Sequence, residues 1–167
     1  MPVVVFADSN SEKKPTKYEE FISNAGSIIK FVDINMPQIP QYVGTKLHCS
    51  VRTVISATNK EYYYRIELVN TSTKDIYTEM IEYADLIEVN KALNILISEA
   101  PNDAKTQPDF LKSQYVTKDG FSIGYDIKKS KVSWFIGVDG EYTLLSNLDA
   151  TVSAFKEAQA KIEEISK

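Results

Sequence analysis

Apolar and polar residues alternate along much of this chain, and the alternation twice gives way to a helical spacing. The clearest alternating runs are residues 45–56 and 121–128. In the first, Leu47, Cys49, Val51, Thr53 and Ile55 share one face. In the second, Phe121, Ile123, Tyr125 and Ile127 point one way, and Ser122, Gly124, Asp126 and Lys128 the other. A period of two marks a strand with one buried face. Residues 27–36, rich in Ile, Val and Phe, read as a further strand, as do 61–69, 76–81, 114–117, 131–138 and 142–145. The breaks between them carry turn residues: Pro37 and Pro40, residues 57–60, the polar stretch 70–75, Lys118-Asp119-Gly120 and Lys129-Ser130. Asp139-Gly140 is the strongest of these, because a two-residue hairpin turn needs positive φ and Asp-Gly adopts it at little cost.

Helical spacing appears at residues 83–99, where Leu86, Val89, Leu93, Leu96 and Ala100 recur at three- and four-residue steps. It returns at 146–165, where Leu148, Val152, Phe155, Ala158, Ile162 and Ile165 form one stripe. Ser146-Asn147-Leu148-Asp149 has the form of a capping box with Asp as the acceptor, which would start the second helix at Ser146. A short helix over 17–24 carries Tyr18, Phe21 and Ile22 on one face and ends at Ala25-Gly26.

The order of elements predicts an α+β fold of tandem ββββα units: antiparallel sheet covered by two main helices, with a short N-terminal helix in front. Residues 1–16 read as a signal-peptide remnant and linker, 17–100 as the first unit, 101–108 as a Pro-bounded linker and 109–167 as the second unit. The two units are expected to form one domain. Tyr64 and Trp134 take corresponding places, as do the apolar stripes of the two helices. An internal duplication accounts for this order, and two unrelated hairpin-plus-helix segments are the alternative.

Composition narrows the possibilities. At 167 residues with 43% hydrophobic and 25% charged residues, the chain can bury a core without staples. A net charge of −4 argues against a nucleic-acid partner. The cations are almost all Lys, leaving Arg52 and Arg65 as the only bidentate forks. No apolar run reaches the ~18–20 residues of a membrane span. Val3-Val4-Val5-Phe6-Ala7 followed by Asp8-Ser9-Asn10 has the small residue of a signal-peptidase site at Ala7, so export to the periplasm or cell surface is expected.

Catalytic chemistry finds no pattern to stand on. The single His and single Cys, His48 and Cys49, are adjacent on a strand and point to opposite faces. They also fall short of a zinc set, and no metal or cofactor is expected. Phosphate-loop and nucleophile-elbow patterns are missing from the sequence. Glu79, Glu82, Asp85 and Glu88 cluster near a helix start, where the helix dipole explains Asp85 and Glu88 without catalysis.

Binding leaves more to follow. In Tyr62-Tyr63-Tyr64, alternation puts Tyr62 and Tyr64 with Ile66 and Leu68, and Tyr63 with Arg65 and Glu67. An exposed Tyr beside Arg is a common interface pair, and an ordinary solvated sheet face is the alternative. Trp134, with Tyr125 and Phe135 at neighbouring positions, completes the candidate binding set of Tyr63, Arg65 and Trp134.

Residues 21–33 (Phe21-Ile22-Ser23-Asn24-Ala25-Gly26 through Asp33), the stretch 83–93 beginning Tyr83-Ala84-Asp85-Leu86, and Val116-Thr117-Lys118-Asp119-Gly120-Phe121 resemble a set of small exported proteins of Bacteroidetes-type bacteria. The resemblance covers nearly all the chain after the linker. It implies export and the fold, and carries over no site residues. The function expected is an exported, non-catalytic binding module for another protein or a surface ligand. A structural or oligomerising subunit and a carboxylate-dependent enzyme are the alternatives.

Overall fold

A computed structural model of the chain describes residues 13–167, so the expected signal segment, residues 1–12, lies outside the described residues. The chain runs α1 (Lys17–Ile22), β1 (Ile29–Met36), β2 (Thr45–Ser56), β3 (Asn59–Asn70), β4 (Ile76–Glu82) and α2 (Tyr83–Lys105). It then repeats the order as β5 (Leu111–Val116), β6 (Ser122–Lys128), β7 (Lys131–Val138), β8 (Glu141–Leu144) and α3 (Leu148–Ile165). Each set of four strands is an antiparallel meander, in the orders β1-β2-β3-β4 and β5-β6-β7-β8. These are two tandem ββββα units, with α1 in front.

Alternation and turn chemistry set the registers. Leu47 faces Leu68, Cys49 faces Ile66, and Val51 faces Tyr64, which in turn faces Ile81. These residues form the inner face of the first sheet and are buried. The hairpin from β2 to β3 closes through Ala57-Thr58 with Ser56 opposite Asn59, tighter than the four-residue turn expected. Ala57 takes a positive φ there, as do Lys129, Ser130 and Asp139 in the second unit's hairpins.

The helices exchange sheets. The helix α3 rests mainly on β1, β2 and β3 of the first unit, while α2 lies chiefly over β5 and β6 of the second and packs against α3. One hydrophobic core therefore runs through both units. Phe155 of α3 shows this: its ring lies 5.3 Å from Tyr64 of the first sheet and 5.8 Å from Phe121, just before β6 in the second unit.

Three expectations change. Residues 101–105 belong to α2, so the linker shrinks to the few residues before β5. Pro101 cannot bond to the carbonyl of Ile97. That loss is offset by Leu96 and Ala100, which pack with Ala104 against Tyr125 and Ile127, and by the Tyr125 hydroxyl, which donates to Asp103 at 2.7 Å. The cap of α3 is Asn147, one residue after Ser146; its side chain accepts from the Ala150 N–H at 3.0 Å. The Ser146 N–H is instead held by the Pro40 carbonyl. Third, Ser122 and Gly124 are buried although they face outward. Phe135 and Tyr142 form an aromatic pair on that outer face, 5.5 Å apart, and the Lys112 ammonium covers both rings. A Cβ on Gly137 would collide with Ser122 Oγ and stand 3.0 Å from the Tyr142 ring, so Ser122 and the aromatic cover together favour glycine there.

Candidate binding groove

The last strand of the second sheet is too short for its neighbour. Strand β8 pairs only with Phe135–Val138, and among the described residues the first half of β7 has no strand beyond it. The Leu145 N–H donates to the Trp134 carbonyl at 2.9 Å, so Trp134 turns its backbone toward that edge. In an antiparallel ladder residues two apart face the same way. The Val132 N–H and carbonyl therefore face the open edge as well. The chain between β1 and β2 closes the far end: the Tyr42 N–H donates to the Leu144 carbonyl at 3.4 Å, and the Thr45 and Thr143 hydroxyls meet at 2.7 Å.

A groove of about 490 Å³ lies along this open edge, walled by Tyr42, Val132, Trp134, Leu144, Leu145 and Leu148. Tyr42 is 61% exposed and Leu144 47%, both large for apolar side chains. Trp134 is half-buried, its ring edge-on to Tyr125 at 5.0 Å. Because Tyr125 is anchored to Asp103, the Trp134 ring is backed by a fixed surface. A second cavity of about 300 Å³ adjoins it, sharing Lys131, Ser133 and Leu144 and lined also by Asp126 and Lys128. There Asp126 Oδ1 is buried with no hydrogen-bond partner among the described residues. An acceptor left in this way lowers its energy by meeting an incoming donor.

The other two candidate residues sit elsewhere. Tyr63 does lie on the outer face of the first sheet with Arg65, as alternation requires, but it is 0% exposed. Helix α1 folds back over it: Tyr18 stacks edge-on at 5.2 Å, and Phe21 and Ile22 pack beside Val54 and Met80. The expectation of an exposed Tyr63 is thereby corrected. The spacing in α1 was legible, whereas the face it docks on was not. The Tyr63 hydroxyl donates to Glu61 at 2.6 Å, and burial holds its pKa far above the usual value. Arg65 pairs with Glu67, and Arg52 grips Asp33 through two bonds of 2.7 Å while lying over Phe31. Both Arg side chains thus have partners inside the chain.

The acidic cluster separates by role. Lys17 lies 2.8 Å from Glu82 and 3.0 Å from Asp85, and Glu88 pairs with Lys91. Glu79 instead turns inward from β4 and accepts from the Asp139 N–H at 3.0 Å. It is 6% exposed, and burial, with Asp139 and Asp119 nearby, lifts its pKa to about 7. His48 is exposed and bonds Gln38, while Cys49 is buried in the core, where desolvation raises its thiol pKa. Among the described residues no group of three His, Cys, Asp or Glu is placed to hold a metal ion, and no helix is long and apolar enough to cross a membrane.

Tyr42, Leu144 and Leu148 were missed as functional candidates by sequence reasoning. Tyr42 lies in an irregular stretch between Pro40 and Gly44, where no periodicity marks it. Neither a family model, a curated protein nor a solved structure matches the chain.

Proposed function

We propose that the chain is a non-catalytic interaction module that captures an extended peptide along the open edge of β7. The observation that carries this reading is the mismatch between β7 and β8, which leaves the Val132 backbone groups beside an aromatic groove. An added strand would pair with those groups, and its alternate side chains would enter the space between Tyr42, Trp134 and Leu148. The Lys128-Lys129-Ser130-Lys131 hairpin at the other end favours a peptide with an acidic residue there. The exported location expected from Val5-Phe6-Ala7 belongs to the same reading, and N-terminal sequencing of the native protein should find Asp8 first.

Trp134 is the only tryptophan, so its emission reports on the groove without labelling. Titration with extended peptides carrying two alternating apolar residues and a terminal acidic residue should change that emission saturably. The same peptides with a basic end should bind more weakly. Val132→Pro removes an outward-facing N–H from a strand edge, where proline is tolerated, and should abolish binding while the circular dichroism stays native. Saturable binding that survives Val132→Pro would count against strand addition.

A carboxylate-dependent enzyme is the second reading, and one observation favours it: Glu79 and Asp119 line one cleft, and burial raises both pKa values. Against it, the Glu79 carboxylate is engaged by the Asp139 N–H, and the backbone N–H of Lys17 takes up Asp119 at 3.3 Å.

A further inference from the structure

The junction between the units is built around one buried carboxyl. Glu79 projects from the edge strand β4 toward two turns of the second unit. Its Oε1 accepts from the Asp139 N–H in the β7–β8 turn, and lies 3.7 Å from where a Cβ on Gly120 would stand in the β5–β6 turn. The same two turns hold the N-terminal strap: Lys13 pairs with Asp139 at 3.0 Å, and the Lys17 N–H donates to Asp119. Thus β4 and both turns meet at Glu79, and the segment leading into α1 joins them through Asp139 and Asp119.

We propose that Glu79 is a pH-operated latch which, when ionised, loosens the two turns and releases α1 from the Tyr63 face. The inference is independent of the peptide groove. The charged groups around Glu79 decide the sign. Asp139 faces it from the β7–β8 turn, Asp119 from the β5–β6 turn and Lys13 from the strap, while Glu19 of α1 and Arg52 and Arg65 of the outer sheet face line the same cleft. The Args have partners of their own in Asp33 and Glu67, so among the described residues Lys13 is the cation acting on Glu79, and it already serves Asp139. Ionising Glu79 strengthens its bond from the Asp139 N–H but adds a third negative charge beside two carboxylates in a buried place. Desolvation and these charges outweigh the bond, so the closed arrangement prefers the neutral carboxyl. Opening lets the carboxylate hydrate.

If the opened carboxyl returns to its ordinary 4.5 from about 7, the closed-to-open ratio falls on the order of a hundredfold as pH rises through that interval. The released strap would uncover Tyr63, Val54 and Met80, the apolar cluster on which α1 sits.

Amide-exchange protection factors for Asp139 and for Lys17–Ile22 test this, compared at pH 5 and pH 8 in the wild type and in Glu79→Gln. The expected result is high protection at pH 5, at least a tenfold loss at pH 8 in the wild type, and no loss in Glu79→Gln. A carbon-13 titration of the Glu79 carboxyl in the wild type stands whether or not the variant folds. Its midpoint should coincide with the titration of the Asp139 amide shift. Equal protection at both pH values, the same loss in Glu79→Gln, or a Glu79 midpoint near 4.5 would each overturn the proposal.

Discussion

Phe155→Ala should destabilise the whole molecule through a single side chain. Phe155 is fully buried on α3, and its ring touches Tyr64 of the first sheet and Phe121 of the second unit. Truncating a buried Phe costs about 3–5 kcal/mol, the spread reflecting how far the cavity collapses. Two sheets and a helix wall this site, which restricts collapse. The two ring pairs add about 0.5–1.5 kcal/mol each beyond area, so about 4–5 kcal/mol is expected. A domain of this size is stable by about 5–15 kcal/mol in all, so a large part of the margin goes. At roughly 2–4 °C per kcal/mol, the midpoint of thermal unfolding should drop by about 10–15 °C. The assay is urea unfolding followed by two probes: Trp134 emission, which reports the second sheet, and far-UV circular dichroism, which reports all the helices. Because α3 seats on the first sheet while Trp134 belongs to the second, coincident curves with an unchanged m-value show that the units unfold as one. A loss below about 1.5 kcal/mol, or a dichroism transition that separates from the Trp134 transition, would refute the exchanged-helix core.

Global stability should fall between pH 4.5 and about 7. The Glu79 carboxyl is protonated in both states below this range and ionised in both above it; within it the folded form holds the proton more tightly. The folded-state advantage, about 3 kcal/mol at most, is therefore fully present at low pH and lost as pH rises through about 7. Chemical denaturation across that range should show this slope, and Glu79→Gln should flatten it; a wild type insensitive to pH there would contradict the assignment. Thr16→Ala removes the acceptor for the Glu19 N–H and half of a capping box. It should cost about 1 kcal/mol or less and confine its effect to exchange in α1, with Trp134 emission unchanged. A large global loss would show that α1 is integral to the core.

Local pattern carried the strands and the fold class. Alternation in β2, β3, β6 and β7 specified which residues face inward, since a one-residue slip of β2 would expose Leu47, Cys49 and Val51 together. The hairpin at Asp139-Gly140 was legible for the same local reason. What local pattern could not carry was docking between distant segments. Pro101 reads as a break, yet packing against Tyr125 and Ile127 continues the helix through it. The amphipathic spacing of Tyr18, Phe21 and Ile22 was plain, but nothing local says that they cover Tyr63. Nor does the sequence announce that Tyr42 reaches Leu144, since that contact joins the two units across about a hundred positions. Glu79 looked like one more acidic residue near a helix start. Its inward direction follows from strand register, and its burial from two turns far along the chain.

Peptide capture at the open edge of β7 has its most direct test in the backbone amide of Val132. That N–H faces the groove, and no strand among the described residues lies opposite it. Amide exchange measured by NMR, with and without a saturating extended peptide, should show Val132 gaining protection while Arg65 and Tyr63 stay as they were. Unchanged exchange at Val132 under a peptide that still shifts Trp134 emission, or protection gained at the first sheet instead, would contradict it.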